Sequence, residues 1–542
     1  MMLYLDIETN WTHDKIWCCV VKEDDEFSVY TTASGLQERI DKADYVVGHN
    51  IITFDAWVLQ DVWDVYIPLE KQIDTLVISR LVAERDKHSL ASWGETLGFP
   101  KGDYTDFESG YCQEMLDYCK RDVDLTVALQ KRLKEMSKDF SVTSIKLEHD
   151  VAAIIAEQQR NGFKLDIDKC NKLFLELEDR KNLIETDMQK IFPPIVEKRY
   201  HKKTGKPIND KVEIFNLKSR QQIASRLKTI GAKFTKKTEK GNAIVDEKVL
   251  KSLNMPEADR IAEYLLLQKR VSQVKQWFDH VGEDDRVRGR VITNGAITGR
   301  MTHLAPNMAQ VPSIKAEYGR QCRDCWTVED GNVLVGIDAS GLELRMLAHY
   351  MNDEAYTKEL LEGDIHTANQ KAAGLETRDQ AKTFIYALLY GAGATRIGNV
   401  VGGSWKQGNE LIDRFMANMP SLGKLKADLR VDCQRGYITG LDGRKVRIRS
   451  EHAALNTTLQ SAGAIVMKQA LVLLDQSLKE LGVYYKFVAN IHDEWQIECT
   501  EYSAPIVGNE AVKAIRKVQD CFNLNCPLDG EYKIGKTWAE TH

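Results

Sequence analysis

Four acidic residues in the first quarter of the chain have types and spacings that suit metal-assisted hydrolysis. Asp6 and Glu8 stand two apart in a β-rich segment, and side chains two apart along a strand share one face. Asp55 follows, and then Asp122, which lies four residues after Tyr118, so that the phenol and the carboxylate share one helix face. Carboxylates are the ligands that hard divalent cations prefer. Four such acids could hold two ions that direct water against a phosphodiester.

Each of these carboxylates, taken singly, is more simply explained as a solvated surface residue. Their joint spacing resembles that of the proofreading 3′–5′ exonucleases, which use four acidic ligands and a water-positioning tyrosine on an RNase H-like fold. The resemblance implies that two Mg²⁺ ions are held by Asp6, Glu8, Asp55 and Asp122. It also implies that Tyr118 assists the attacking water. All four acids are present, which favours an active site.

A second set of residues, in the C-terminal half, suits nucleotide chemistry. Asp338 ends an apolar run, and Asp493 lies between two apolar runs where a hairpin turn would favour Gly or Asn. Between them, two cations and two rings recur every fourth residue and so share one helix face: Arg378, Lys382, Tyr386 and Tyr390. Cations can bind a triphosphate while a ring stacks on its base. Such a stripe alone is more often an amphipathic surface, but its combination with Asp338 and Asp493 favours a nucleotide site.

These segments resemble the three sequence motifs of the polymerase A (DNA polymerase I) family. The motifs read Asp338-Ala-Ser-Gly-Leu-Glu343-Leu-Arg, Arg378-Asp-Gln-Ala-Lys382-Thr-Phe-Ile-Tyr386 and His492-Asp493-Glu494. Shorter stretches support the resemblance in the same order: 294–300, 364–367, 440–444 and 459–463. Within the family, the chain resembles the replicative enzymes of short-tailed coliphages. The resemblance therefore covers most of the chain.

The resemblance implies metal-binding and phosphate-binding roles. Asp338 and Asp493, with the main chain of Ala339, would hold two Mg²⁺ ions, for which Mn²⁺ could substitute. Arg378 and Lys382 would bind the phosphates of the incoming dNTP. Proton transfer to the leaving pyrophosphate would fall to Lys382. The implied activity is template-directed extension of a primer 3′-hydroxyl.

The resemblance also implies residues that select the substrate. Tyr386 would pack against the sugar and base of the nucleotide, and Glu343 would close the space that a 2′-hydroxyl needs. His366 would help to bind the phosphates. Three further residues would contact the end of the primer–template: Arg300, Gln460 and His492.

The pattern along the chain predicts a multidomain protein of mixed α/β and α+β class. Its 542 residues exceed what one hydrophobic core supports, so two to four domains are expected. By the resemblance, an RNase H-like exonuclease precedes a right-hand polymerase, whose palm has an antiparallel sheet and whose fingers and thumb are helical. The expected boundaries are 1–145 for the exonuclease, 146–288 for the thumb, 289–356 and 446–542 for the palm, and 357–445 for the fingers.

The net charge of −6 conceals an uneven distribution along the chain. Residues 1–150 carry 16 basic and 29 acidic side chains, whereas residues 151–290 carry 30 basic and 21 acidic ones. Within the second segment, residues 198–240 hold 14 basic and three acidic side chains. This density predicts a surface that contacts a phosphate backbone, with a solvated basic face as the alternative.

The implied partners are primer–template DNA and dNTPs, together with a phage primase-helicase and a single-strand-binding protein. Coliphage relatives recruit thioredoxin through a long thumb insertion, but the matching interval here, 192–219, is short, which argues against thioredoxin binding. The chain starts at its exonuclease strand, so no 5′–3′ flap nuclease is expected. The sequence has no signal-like start and no apolar run that would span a bilayer. We expect a monomer in the cytoplasm of a bacterial host.

Two alternatives and one minor motif remain. A single-subunit RNA polymerase would share the Asp, Lys/Tyr and His-Asp features, but Glu343 and the intact exonuclease acids argue against it. A catalytically inactive DNA-binding scaffold is disfavoured by the six metal-ligand carboxylates.

Among the 11 cysteines, only Cys322 and Cys325 have a metal-like or redox-like spacing, and reduced thiols are the simpler interpretation.

Overall fold

The computed structural model describes residues 1–83, 87–201 and 203–542. The first part of the chain forms five strands: β1 (Met2–Thr9), β2 (Ile16–Glu23), β3 (Glu26–Tyr30), β4 (Tyr45–Gly48) and β5 (Gln72–Asp74). They make one mixed sheet in the order β3-β2-β1-β4-β5, in which β1 runs antiparallel to β2 and parallel to β4. Leu3, Leu5 and Ile7 alternate along β1 and are buried. This alternation leaves Asp6 and Glu8 together on the other face.

Five helices accompany this sheet: α1 (Leu36–Lys42), α2 (Asp55–Trp63), α3 (Thr75–Val82), α4 (Leu90–Leu97) and α5 (Gln113–Met136). The long helix α5 buries Met115, Cys119 and Asp122, whose spacing of three and four residues places them on one side. Because α5 packs against β1 and β2 with this side, its carboxylate Asp122 is carried inward.

The middle of the chain is mostly helical: α6 (Val142–Asn161), β6 (Phe163–Leu165), α7 (Ile167–Ile191), β7 (Ile195–Tyr200), β8 (Pro207–Glu213), α8 (Arg220–Thr229), α9 (Glu247–Ser252) and α10 (Pro256–Asp279). Helices α7 and α10 pack together and bury Leu177, Ile184 and Tyr264. The sequence predicts a polar tip between helices here. The structure forms the antiparallel hairpin β7–β8 instead, with nearly every residue exposed, because Val and Ile occur in both segments and favour strands.

The last part begins with four short strands, one short helix and one longer strand: β9 (Arg286–Val287), β10 (Arg290–Ile292), β11 (Thr302–Leu304), α11 (Gly319–Asp324), β12 (Trp326–Thr327) and β13 (Asn332–Ala339). Seven helices follow: α12 (Leu342–Met351), α13 (Glu354–Glu362), α14 (Ile365–Ala373), α15 (Arg378–Leu389), α16 (Ala394–Val400), α17 (Trp405–Ala417) and α18 (Pro420–Arg435). The chain ends with β14 (Tyr437–Thr439), β15 (Lys445–Arg447), α19 (Glu451–Glu480), β16 (Tyr485–Ile491), β17 (Glu494–Thr500), α20 (Ala504–Phe522) and β18 (Gly530–Gly535).

Four of these strands form an antiparallel sheet in the order β16-β17-β13-β18. Strand β13 is buried along Val333–Ile337, as expected for a strand covered on both faces. Helix α20 packs against β13 and β18, and α19 packs against α20 and α12. The hydrophobic core that results is continuous from α6 to the helices between β13 and α18.

One helix in the described part of the chain, α19, is long and apolar enough to cross a membrane by length and composition alone. Its most apolar window is 83% buried inside the protein, among residues of the core around β13. Ala462, Ile465 and Leu471 are each at most 1% exposed. We therefore interpret α19 as a core helix.

Candidate active sites

The four acids predicted to cluster in the first part of the chain lie together. Asp6 and Glu8 lie on β1, Asp55 starts α2, and Asp122 lies on α5. Oδ1 of Asp55 accepts a hydrogen bond of 3.3 Å from the backbone N–H of Ile7, which ties α2 to β1 between the two strand acids. Glu8, Asp55 and Asp122 are each at most 7% exposed, whereas Asp6 is half-buried. Three elements far apart in sequence thus bring four carboxylates to one place.

Electrostatics in this cluster show how closely the carboxylates face one another. Burial and then the charges of Glu8, Asp55 and Asp122 hold the pKa of Asp6 well above its usual range. Burial and then the charge of Asp122 raise the pKa of Glu8 to about 9. Burial raises the pKa of Asp55 to about 7, although backbone hydrogen bonds, one of them from Ile7, oppose the shift. Acids that destabilise one another in this way fit divalent cations, which would remove the repulsion.

Tyr118 lies one helical turn before Asp122, as the spacing predicts, and a lysine that sequence reasoning missed joins them. Nζ of Lys101 lies 2.6 Å from Oδ2 of Asp122 and 4.8 Å from the centre of the Tyr118 ring. Burial raises the pKa of Tyr118 to about 12, so its phenol keeps its proton at neutral pH. Lys101 follows Pro100 in a loop with no motif of its own, and only the fold brings it here.

A buried carboxylate, Asp74, organises the loop that leads to Asp55. Its Oδ1 accepts from the backbone N–H of Asn50 at 2.9 Å and from that of Leu76 at 2.8 Å, and Oδ2 accepts from Ile52. Asp74 thus caps α3 and fixes the turn before α2 with one side chain. Its role is to position the loop, and no sequence signal marked it out.

The second pair of predicted acids lies at one end of the four-stranded sheet. Asp338 is near the end of β13, and Asp493 lies in the turn between β16 and β17. The backbone N–H of Ala339 donates to the carbonyl of Asp493 at 3.1 Å, which fixes the two segments side by side. Burial and then the charge of Asp493 raise the pKa of Asp338 to about 7, and burial and then Glu343 raise that of Asp493. This pair also fits a divalent cation by its donor chemistry.

Glu494, next to Asp493, is buried and hydrogen-bonded inside the protein. It is 7% exposed and accepts hydrogen bonds from Nε1 of Trp538 and from Nε2 of Gln496, at 2.5 and 2.6 Å. Burial acts to raise its pKa, but His542 and Arg323 outweigh burial and hold the pKa below its usual value. Glu494 therefore anchors the turn while Asp493 stays available. The turn itself is tight, with His492 exposed at a φ of 58°.

Helix α15 presents the predicted stripe of cations and rings. Arg378 and Lys382 are exposed, and Tyr386 is half-buried one turn further on. The ring of His366, on α14, lies 6.3 Å from that of Tyr386, and burial and then the charges of Arg378 and Lys382 lower the pKa of His366. A capping box formed by Thr377 and Gln380 starts α15. The predicted phosphate-binding residues are thus neighbours.

Asp364 is the first residue of the stretch 364–367, and no role was predicted for it from the sequence. In the structure it pairs with Arg378. Its Oδ2 lies 2.7 Å from Nε of Arg378, and both side chains are about half exposed. The same carboxylate accepts from the backbone N–H groups of His366 and Thr367 and so caps α14. Asp364 therefore ties the start of α14 to the start of α15 and orients the guanidinium.

Glu343, the predicted steric gate, lies in the first turn of α12 and is 19% exposed. Its Oε1 accepts a hydrogen bond of 3.1 Å from the hydroxyl of Tyr390, and Arg300 lies 3.6 Å from it. The rings of Tyr390 and Tyr386 are stacked, with centroids 6.4 Å apart. The stripe on α15 therefore reaches Glu343 through Tyr390, a residue that the sequence placed on the stripe without a role.

Comparison with known proteins identifies the family. A family model described as DNA polymerase family A matches residues 195–540. The DNA-directed DNA polymerase of Enterobacteria phage T3 is 33% identical over all of both chains, and that of Escherichia phage T7 is 33% identical over 95% of each. The chain belongs to DNA polymerase family A.

More distant comparisons agree with the family A assignment. The thermostable DNA polymerase I of Thermus aquaticus is 27% identical over 72% of this chain and 48% of its own length. A solved structure described as the POL domain of Pol1 from M. smegmatis in complex with DNA primer-template and dNTP has a TM-score of 0.80 at 20% identity. It covers 99% of this chain and 95% of that one, so the two share their fold. The predicted resemblance to family A and to its coliphage members is confirmed.

A large cleft in this family A protein joins the surroundings of the two acidic sites. Its volume is about 1910 Å³, and Asn50 and Lys101 line it beside the four-acid cluster. Gly299, next to Arg300, and the predicted primer-contacting residue Gln460 line its polymerase side. Its lining also includes arginines from both parts of the chain: Arg80, Arg290, Arg435, Arg447 and Arg449. Such a lining attracts an anionic chain.

Proposed function

We propose that this family A protein is a template-directed DNA polymerase that also removes nucleotides from the primer end at a separate 3′–5′ exonuclease site. The observation that carries the proposal is the placement of Asp338 and Asp493 at one end of an antiparallel sheet, near Tyr386, whose pKa is raised by burial and then by the charges of Glu343 and Asp493. The full-length similarity to polymerases of phages T3 and T7 supports a role in phage DNA replication in a bacterial cytoplasm.

In the polymerase site, the chain's own residues bind and orient the nucleotide. Arg378, Lys382 and His366 would bind the triphosphate, and Tyr386 would stack on the base. Lys382, which is exposed, would give its proton to the departing pyrophosphate. Asp338 and Asp493, with Ala339, would hold the cations.

In the exonuclease site, Asp6, Glu8, Asp55 and Asp122 would hold the cations, and Tyr118 would donate a hydrogen bond to orient the attacking water. Divalent cations bound at either site, Mg²⁺ or in its place Mn²⁺, supply positive charge that activates the attacking oxygen and stabilises the phosphate oxygens. Lys101 would hold Asp122 in place and offset its charge while Tyr118 keeps its proton.

The cleft supports a path for single-stranded primer between the two sites. Among the described residues, the lining contains arginines and no acids, and the pKa of Arg80 is lowered by burial and then by the nearby charge of Arg290. Two guanidiniums whose charges act on each other favour a phosphate between them. Gln460 and Arg300 would hold the primer end on the polymerase side, with His492 contacting the adjoining duplex.

The domain organisation follows as a proposal. Residues 1–145 would form the exonuclease around the mixed sheet β3-β2-β1-β4-β5, and residues 146–288 would form the thumb. Residues 289–356 and 446–542 would form the palm around the sheet β16-β17-β13-β18, with residues 357–445 as fingers. The basic segment 198–240 would then lie in the thumb, where it would contact the DNA duplex. The protein would act as a monomer.

Separate inactivation of the two acid clusters tests the proposal. With a 5′-labelled primer on a template, Asp493→Ala should abolish extension and keep primer degradation. The pair Asp6→Ala and Glu8→Ala should do the reverse. Loss of both activities in either variant would mean that the sites are not separate, and absence of extension by the wild-type protein with Mg²⁺ and dNTPs would overturn the polymerase function.

A further inference from the structure

Helix α6 (Val142–Asn161) connects the surroundings of the two acidic sites. It packs against α3, which Asp74 caps, and also against α19 and β16. Ala152 belongs to the hydrophobic core around β1, whereas Leu147 and Val151 belong to the core around β13. The same helix is therefore packed into both cores.

A buried ion network fixes α6 to the core around β13. Glu148 is fully buried, and its Oε1 accepts hydrogen bonds from Nη1 of Arg444 and from Nζ of Lys468, each at 2.6 Å. Arg444 also donates to Asp442 in the turn between β14 and β15, and Lys468 lies on α19. Removal of one member of a buried ion pair leaves an uncompensated charge, so this network resists displacement of α6.

The neighbouring residue on α6, His149, holds the loop that leads to Asp55. Its ring is 7% exposed, Nδ1 lies 2.8 Å from the backbone carbonyl oxygen of Ile145, and Nε2 lies 3.0 Å from the backbone nitrogen of Asp74. Because a carbonyl only accepts and a backbone N–H only donates, Nδ1 carries the proton and Nε2 is the acceptor. The carboxylate of Asp74 in turn accepts from two backbone N–H groups of that loop. A chain of hydrogen bonds therefore runs from α6 to the loop that ends at Asp55.

We propose that His149 is a positioning residue for the exonuclease site: through Asp74, it fixes the loop that places Asp55, from a helix that is anchored in the core around β13. Asp74 is 1% exposed, so water has little access to replace a lost acceptor. Without the acceptor, the loop would open more often and Asp55 would leave the cluster of acids more often. The effect on the loop is independent of the proposed exonuclease function, and only the effect on primer degradation rests on it.

Hydrogen–deuterium exchange of the full chain tests the positioning without any activity. The readout is exchange in peptides that cover 48–55 and 72–77. His149→Leu removes the acceptor, and exchange in both segments should rise roughly tenfold. His149→Gln keeps an acceptor oxygen near the position of Nε2 and should restore most of the protection. Lys146→Ala, at an exposed position on the same helix, is the matched control and should behave as the wild type.

Exchange at the wild-type rate in His149→Leu would overturn the proposal, and so would equally fast exchange in His149→Leu and His149→Gln. His149→Asn serves as a second variant, because its shorter side chain ends before the position of Nε2, and it should resemble His149→Leu. Thermal unfolding and extension of a matched primer show that the variants are folded.

Primer degradation tests the effect on catalysis. With a 5′-labelled single strand and Mg²⁺, kcat of His149→Leu should fall roughly tenfold while KM changes little, because an acid rather than a contact to the strand is displaced. His149→Gln should recover most of the rate. Faster exchange with an unchanged kcat would refute the effect on Asp55. A wild type that never degrades primer, in the presence of the exchange differences, would support the loop positioning and refute the proposed exonuclease function.

Discussion

The hydrogen bond between Tyr390 and Glu343 joins two residues that the sequence treats separately. Glu343 lies in the first turn of α12, and Tyr390 directly follows α15. The 3.1 Å bond from the phenol to Oε1 holds the carboxylate while the Tyr390 ring stacks on that of Tyr386. Tyr390 therefore holds Glu343 in place beside Tyr386, the residue proposed to pack against the sugar.

Removal of Glu343 should therefore relax sugar selection, and loss of its hydrogen bond should do so more weakly. Glu343→Ala empties the space that a 2′-hydroxyl would need, so the ratio of kcat/KM for dNTP to that for rNTP should fall. Tyr390→Phe removes one hydrogen bond to a charged group, worth about 1.5–3 kcal/mol, which limits the fall in the ratio to roughly 10- to 150-fold. Tyr502→Phe, at an 89% exposed position, is the control. An unchanged ratio in Glu343→Ala would contradict the gate.

The raised carboxyl pKa values predict how stability depends on pH and Mg²⁺. With folded-state pKa values of about 9 for Glu8 and about 7 for Asp55, the folded protein holds protons that the unfolded chain releases near pH 4. Without metal, the free energy of unfolding should therefore fall as pH rises from about 5 towards 9. Bound Mg²⁺ would offset the charge of these buried carboxylates, so it should raise Tm more near pH 9 than near pH 6, by a few degrees.

Scanning calorimetry with EDTA or Mg²⁺ at both pH values measures this effect. The pair Asp6→Asn and Glu8→Gln is the matched control, because it keeps the side-chain shapes but removes two of the charges. In that variant, both the pH dependence in this range and the additional Mg²⁺ effect near pH 9 should shrink. An equal Mg²⁺ shift at both pH values in the wild type would contradict the electrostatic origin.

At the scale of elements, the sequence predicts the segments whose pattern is local. The apolar run in 332–337 corresponds to β13, and the spacing of four residues in 378–390 corresponds to α15 and the residue that follows it. The hairpin β7–β8 was not predicted, because its apolar residues are exposed and so carry no periodic burial signal. The basic residues between the two strands are typical of a loop, so the whole segment was interpreted as a polar tip.

The same limit applies to the residues of the candidate sites. Asp6, Asp122, Asp338 and Asp493 lie in recognisable motifs, and the structure brings each pair or cluster together. Lys101 could not be predicted, because nothing in its own loop indicates that it faces Asp122. Residues such as Asp74, Cys119 and Tyr390 become informative only through partners 24 or more residues away, which a pattern of neighbours cannot contain.

At the scale of the molecule, basic side chains line the cleft although the chain is acidic overall. The acidic first part contributes Arg80 and Lys101 to the lining, and the later part contributes Arg290 and Arg449. The two parts are also tied together, since Asn294 donates to the backbone carbonyl of Arg80 at 3.0 Å. The net charge of −6 is therefore no obstacle to DNA binding, because basic groups line the surface between the sites.

If the primer end passes through the cleft from the polymerase site to the exonuclease site, loss of a cleft arginine on the polymerase side should slow this transfer and no other step. Arg290→Ala should slow removal of a mismatched primer end from a template by several-fold, because one phosphate contact is lost. Extension of a matched primer and digestion of a short free single strand should change little, since neither needs the passage. The defect should diminish at high salt, where phosphate contacts contribute less in wild type as well.

Lys513→Ala, at an exposed position on α20, is the control for lost positive charge. Equal slowing of free single-strand digestion would place Arg290 in the exonuclease site itself, and unchanged mismatch removal would exclude it from the path.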